Sequence, residues 1–113
     1  MATVVDSGTL TATAAEQDLK TGADFTTAGT YVLAVDTTNM ANGDTIQIKA
    51  YVKTLAGSAI TTSYVTGNWS HAQGDNVKMS IPIPVTHYVR FTLVQPDHPN
   101  GFRNFDWEVM TVT

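Results

Sequence analysis

Apolar residues recur at every second position along most of the chain, the period of strands that turn one face inward. In GTYVLAVD, Tyr31, Leu33 and Val35 share one face. In TIQIKAYVK, Ile46, Ile48, Ala50 and Val52 stand on one side and Thr45, Gln47, Lys49 and Lys53 on the other, the clearest half-buried strand in the sequence. Val77, Met79, Ile81, Ile83 and Val85 alternate with Lys78, Ser80, Pro82 and Pro84. Proline has no amide hydrogen for a ladder, so this segment is expected at a sheet edge, or leaving the sheet near Pro82. His87, Val89, Phe91 and Leu93 alternate with Tyr88, Arg90, Thr92 and Val94, and Phe105, Trp107, Val109 and Thr111 follow the same rule. Weaker strands are expected over residues 3–12, 15–20 and 59–66.

Turn signals punctuate these runs. Asn42-Gly43-Asp44 supplies the positive φ of a tight turn, Ala56-Gly57-Ser58 closes a hairpin, and the PDHPNG stretch from Pro96 to Gly101 bends the chain before the last strand. Residues 36–44 hold the only space for a helical turn, too short for an amphipathic helix. About eight strands at this spacing predict an all-β, antiparallel β-sandwich, jelly-roll or immunoglobulin-like. It is read as a single domain over residues 1–113, with an N-terminal arm or first strand at roughly 1–12. No repeat and no Pro/Gly/Ser linker divides it.

Composition sharpens this picture. At 113 residues and 12.1 kDa the chain is long enough for one core without staples. It has no cysteine, so disulfide and thiolate chemistry are excluded. A net charge of −4 repels phosphate backbones and anionic lipid, so neither nucleic acid nor membrane is expected as a partner. Only 14% of residues are charged while nineteen are threonine, so hydroxyls replace charges on much of the surface. The start of the chain lacks the basic and apolar stretches of a secretory signal.

Reactive centres are hard to assemble from these residues. The serines are Ser7, Ser58, Ser63, Ser70 and Ser80, and none sits in a G-x-S-x-G elbow. Ser70 and His71 are adjacent, which on an extended strand points them to opposite sides. His71, His87 and His98 match no metal-ligand spacing. Glu16 and Glu108 are the only glutamates; Asp106 and Glu108 share the solvated face of the last strand, opposite Trp107. Asp36, Asn39, Asn42 and Asp44 fall within nine residues but lack EF-hand spacing, and Asx residues at turns usually cap backbone. No catalytic residue, metal ligand or cofactor is therefore assigned. Tyr31, Phe91, Phe105 and Trp107 belong to strand faces that build a core. Trp69 and Phe102 fall in GNWSHAQGD and PNGFRN, which read as loops, where a large ring stacks on a sugar, anchors a partner chain or folds over the core. With the neighbouring His71 and Arg103, they are the candidate partner contacts.

Three stretches, GTYVLAVDTTNMANGDTIQIKAYVKTLAG, IPIPVTHYVRFTLVQ and FRNFDWEVMTV, resemble a family of small proteins encoded in tailed-bacteriophage genomes among virion structural genes. The shared pattern is carried by Gly29, Tyr31, Leu33, Val35, Asp36, Asn39, Met40, Gly43, Asp44 and Lys53, then by Pro82, Pro84, Val85, Phe91, Leu93, Gln95, Phe105, Trp107 and Val109. It spans roughly residues 28–112. Where the family has a short link before its last strand, this chain has PDHPNGFR. The resemblance implies a non-enzymatic virion protein, foremost a head decoration or cement protein, homotrimeric, bound to the major capsid protein or other virion proteins. A tail, neck or fibre component is the structural alternative. A carbohydrate-binding module presenting Trp69 or Phe102 to glycans is the alternative of another class.

Overall fold

A computed structural model describes residues 2–19, 25–52, 61–85, 87–99 and 101–112, with the backbone alone described at 61–66. Its strands are β1 Ala2–Thr11, β2 Gln17–Asp18, β3 Gly29–Asp36, β4 Thr45–Val52, β5 Thr61–Ser70, β6 Val77–Met79, β7 Ile83–Val85, β8 Val89–Val94 and β9 Asn104–Val112. One sheet runs β1-β9-β3-β6, with β7 also on β3, and the other runs β2-β8-β4-β5, all pairs antiparallel. Because β6 and β7 share one edge of β3, they act as a single interrupted strand, which makes eight. Each strand then pairs with the one equally far from the opposite end of the chain: first with last, second with second-last, and so inward. That nested pairing is the jelly roll, and it decides between the two sandwich types that alternation alone left open. The expected Ala56-Gly57-Ser58 turn lies outside the described residues.

The alternation read from sequence sets the two inner faces. Tyr31, Leu33 and Val35 of β3 and Phe105, Trp107 and Val109 of β9 meet Ile46, Ile48 and Ala50 of β4 and Val89, Phe91 and Leu93 of β8 in one buried cluster. Fully burying a Leu or Phe contributes about 1.5–3 kcal/mol, so this two-sided core is the main favourable term. Burial pushes the Tyr31 phenol's pKa up, and its hydroxyl donates to the Thr27 carbonyl at 2.6 Å.

The proline-broken segment departs from the expected pattern. Its residues were expected to share one face, but Val77, Met79 and Ile81 are 58%, 58% and 59% exposed, whereas Ile83 and Val85 are 2% and 5% exposed. The cause is a one-residue bulge. Met79 pairs with Ala34, but Ile83 pairs with Tyr31, so four positions on the edge strand span three on β3. One extra residue reverses every side chain beyond it. Ser80 holds the break: its N–H donates to the Leu33 carbonyl at 2.8 Å, and its Oγ accepts from the Leu33 N–H at 2.9 Å.

The two outer faces have opposite characters. On the four-stranded sheet, Glu16 Oε2 accepts from the Tyr51 hydroxyl and from Thr92 Oγ1, and its other oxygen lies 3.9 Å from Lys49. Arg90 pairs with Asp18 at 3.3 Å and lies over the Tyr51 ring at 4.4 Å. That face is cross-linked by its own polar groups. On the five-stranded sheet, Val4, Met110 and Val32 line up across β1, β9 and β3, and Val32, Ala34 and Met110 form a second buried apolar cluster.

Candidate functional site

The nested strand order brings the β3–β4, β5–β6 and β8–β9 connections to one end of the sandwich. Asp44 ties them together. Its side chain is fully buried; Oδ2 accepts from the Ala41 N–H at 2.9 Å and from the Arg103 Nε–H at 3.0 Å. Its carbonyl accepts from the His71 N–H at 2.8 Å, and the Gly43 N–H donates to His71 Nδ1 at 2.9 Å. Gly43 has φ +94° and a Cβ there would fall 2.6 Å from Pro99 Cγ, so the turn requires glycine in both conformation and space. His71 itself adopts φ +66°, an uncommon backbone state for a residue with a side chain, held by these two bonds.

The β8–β9 connection is clamped from inside by Gln95, which has no exposed surface. Its Oε1 accepts from the Arg103 N–H at 3.0 Å, and its Nε2 donates to the Gly101 carbonyl at 3.2 Å. The Thr45 N–H donates to the Asp97 carbonyl at 3.1 Å, pinning the loop to β4. What projects is its tip, where the His98 and Phe102 rings stack with centroids 4.3 Å apart and Phe102 is 43% exposed.

Of the four residues singled out from sequence, the structure joins His71 and Arg103 through Asp44, and Phe102, immediately before Arg103, stacks on His98 at the loop tip. Trp69 is a correction. It was expected in a loop, but β5 continues to Ser70, pairing Trp69 with Ile46. Its half-buried ring packs against the core and covers Gly67, where a Cβ would lie 2.0 Å from the indole. From the end of β5 it braces the sandwich.

The Asx residues of the β3–β4 connection spend their side chains on local structure. Asp36 Oδ1 accepts from the Thr38 N–H at 2.9 Å, Asn39 Nδ2 donates to the Asn104 carbonyl at 2.9 Å, and Asn42 Oδ1 accepts from the Ala72 N–H at 3.3 Å. The Thr38 hydroxyl and N–H hold the Asp36 carboxyl below its ordinary pKa. Among the described residues, no three His, Asp or Glu side chains converge as a metal site. Sequence reasoning saw Asp44 as a turn residue and missed its burial against Arg103; it also missed the burial of Gln95, which directly follows the Leu93-Val94 end of β8. This end of the molecule is braced from within by one ion pair and one buried amide. Comparison with protein-family models, with curated proteins and with solved structures finds no match.

Proposed function

We propose that this protein is a non-enzymatic structural component of tailed-bacteriophage virions, foremost a head decoration protein that binds the assembled capsid, as a homotrimer. The observation that carries the reading is where the resemblance residues fall. Leu33, Val35, Phe91 and Val109 are core, Gly43 and Asp44 make the loop-end turn, and Gln95 clamps the neighbouring loop. The shared pattern therefore specifies a stiff scaffold, and function is left to surfaces.

Those surfaces suit attachment. β1 is a ten-residue sheet edge, ATVVDSGTLT, exposed along most of its length and carrying neither lysine nor proline to blunt it. Such an edge accepts a strand from a neighbour through backbone bonds. Threonine side chains lose less rotamer entropy at a contact than lysine or glutamate, so a threonine-rich surface is inexpensive to fix. Jelly rolls recur in viral capsid and lectin domains, which is fold-level analogy only. For the carbohydrate reading, Trp69 is half-buried against the core, and the stacked His98 and Phe102 are the rings at the loop tip.

The test is addition of the purified protein to particles assembled without it. Saturable retention on heads, with raised resistance of the heads to heat, is expected. Retention on tails alone shifts the assignment to the tail alternative, and retention on neither overturns it.

A further inference from the structure

The outer face of the five-stranded sheet presents rungs of aligned side chains. One crosses Val4, Met110 and Val32; the next holds Ser7, Glu108, Ala34 and Met79; the third holds Thr9, Asp106, Asp36 and Val77. Val32, Ala34 and Met110 are 7%, 6% and 8% exposed, but Val4, Met79 and Ile81 around them are 52%, 58% and 59% exposed. An outward sheet face in water ordinarily carries polar side chains, so the exposed Val4, Val77, Met79 and Ile81 at the margins of this buried cluster mark a contact surface.

The third rung says what kind of contact. Asp36 and Asp106 stand directly opposite each other on β3 and β9, an unfavourable like-charge pair. The hydroxyls of Thr38 and Thr9 each donate to one of them at 2.5 Å, fixing both carboxylates in place. The ion pairs formed among the described residues join Lys49 to Glu16, Arg90 to Asp18 and Arg103 to Asp44, and none reaches Asp36, Asp106 or Glu108. A depression of about 190 Å³ opens beside these three carboxylates, with Ala34 and Val77 on its wall. The other outer face, by contrast, neutralises its own acids.

We propose that this face docks an extended segment of a partner protein that combines apolar side chains with lysine or arginine. The apolar side chains cover the exposed Val4 and Met79 that flank the buried Val32, Ala34 and Met110, and the cation enters the depression between Asp36, Asp106 and Glu108. Val32 and Asp36 are four residues apart on β3, about 13 Å at the rise of a strand, so the partner's cation lies about four residues from its apolar anchor. Arrival of that cation relieves the repulsion across β3 and β9. The assignment concerns this surface alone and stands whether or not the protein is carried in a virion.

The test is amide chemical-shift mapping on the full-length ¹⁵N-labelled chain with a synthetic twelve-residue peptide, valine and serine alternating in its first half and lysine and serine in its second. Expected are shifts at Val32, Ala34, Asp36, Glu108 and Met110. Affinity is expected to fall at least ~10-fold when the peptide's lysines become glutamate, and likewise in a protein carrying Asp36→Asn with Asp106→Asn. Should that double variant fail to fold, Glu108→Gln reads the same dependence, as does raising the salt concentration on the unaltered protein. No shift at millimolar peptide, shifts confined to another face, or binding indifferent to charge reversal overturns the proposal. So does adsorption of zwitterionic phosphatidylcholine vesicles to this face, which makes it a lipid surface. Self-association through this face that Met79→Lys abolishes also overturns it, because a second copy is then the occupant.

Discussion

Arg103 reaches 59 residues back along the chain to place its Nε–H 3.0 Å from Oδ2 of the fully buried Asp44. The pair joins the β8–β9 connection to the β3–β4 turn, and the Asp44 carbonyl carries the tie on to His71. Removing one partner of a buried pair strands the other's charge, a loss of roughly 3 kcal/mol or more. Arg103 is partly exposed, so water screens part of that effect, and Arg103→Ala is expected to cost about 2 kcal/mol. Asp44→Ala removes the carboxylate that also accepts from the Ala41 N–H, and about 3 kcal/mol is expected. Urea unfolding followed by circular dichroism measures both; losses below about 0.5 kcal/mol would show that the tie is ornamental.

Gly43→Ala meets two penalties, a left-handed backbone and the Pro99 ring. A loss of about 2 kcal/mol is expected, of which Pro99→Ala in the same chain restores roughly half by removing the collision and not the backbone strain. Gly74→Ala, where a Cβ meets nothing within 4 Å, serves as the control and should change stability by less than about 0.5 kcal/mol.

Ser80→Ala leaves the buried Leu33 N–H without its acceptor at the bulge. The expected cost is about 1–3 kcal/mol, with faster hydrogen exchange at Leu33 than elsewhere on β3. Unchanged exchange at Leu33 would mean that the hydroxyl does not hold the break.

Acid should weaken the protein through Glu16 and Asp36. Partial burial raises the Glu16 pKa, but hydrogen bonds from Thr92 and Tyr51, with Lys49 and Arg90 nearby, together outweigh it and leave the group below its ordinary value of 4.5. The Thr38 hydrogen bonds lower Asp36 below its ordinary 3.8. For depressed carboxylates the stabilisation is complete above the unfolded value and is lost as pH falls through the folded one. Stability should therefore decline as pH drops below about 4.5, and Glu16→Gln should flatten that decline. Parallel pH profiles for the two proteins would contradict the assignment.

Much of the fold was legible because period-two alternation marks the inner face of β3, β4, β8 and β9, although only β4 alternates in burial, since Val32, Ala34, Thr92 and Met110 are buried on the opposite faces of the other three. The bulge was not. The alternation of Val77 to Val85 runs unbroken in sequence, and only its pairing with β3 shows that one residue has been inserted and the face reversed. That slip is also what puts Met79 and Val77 on the outer surface beside Ala34 and Asp36. Trp69 was misplaced because Gly67-Asn68 looks like a turn, whereas Gly67 is the gap into which the indole fits. His71 and Arg103 were found as residues but not as a unit, since the buried carboxylate between them belongs to a third segment.

The most direct measurement is quantitative mass spectrometry of purified particles of a phage that encodes this chain, with copies counted against the major capsid protein. A head lattice component gives hundreds of copies per particle, in fixed ratio to the capsid subunit. A chain absent from the particle, or a purified protein that turns over a substrate, would contradict the account.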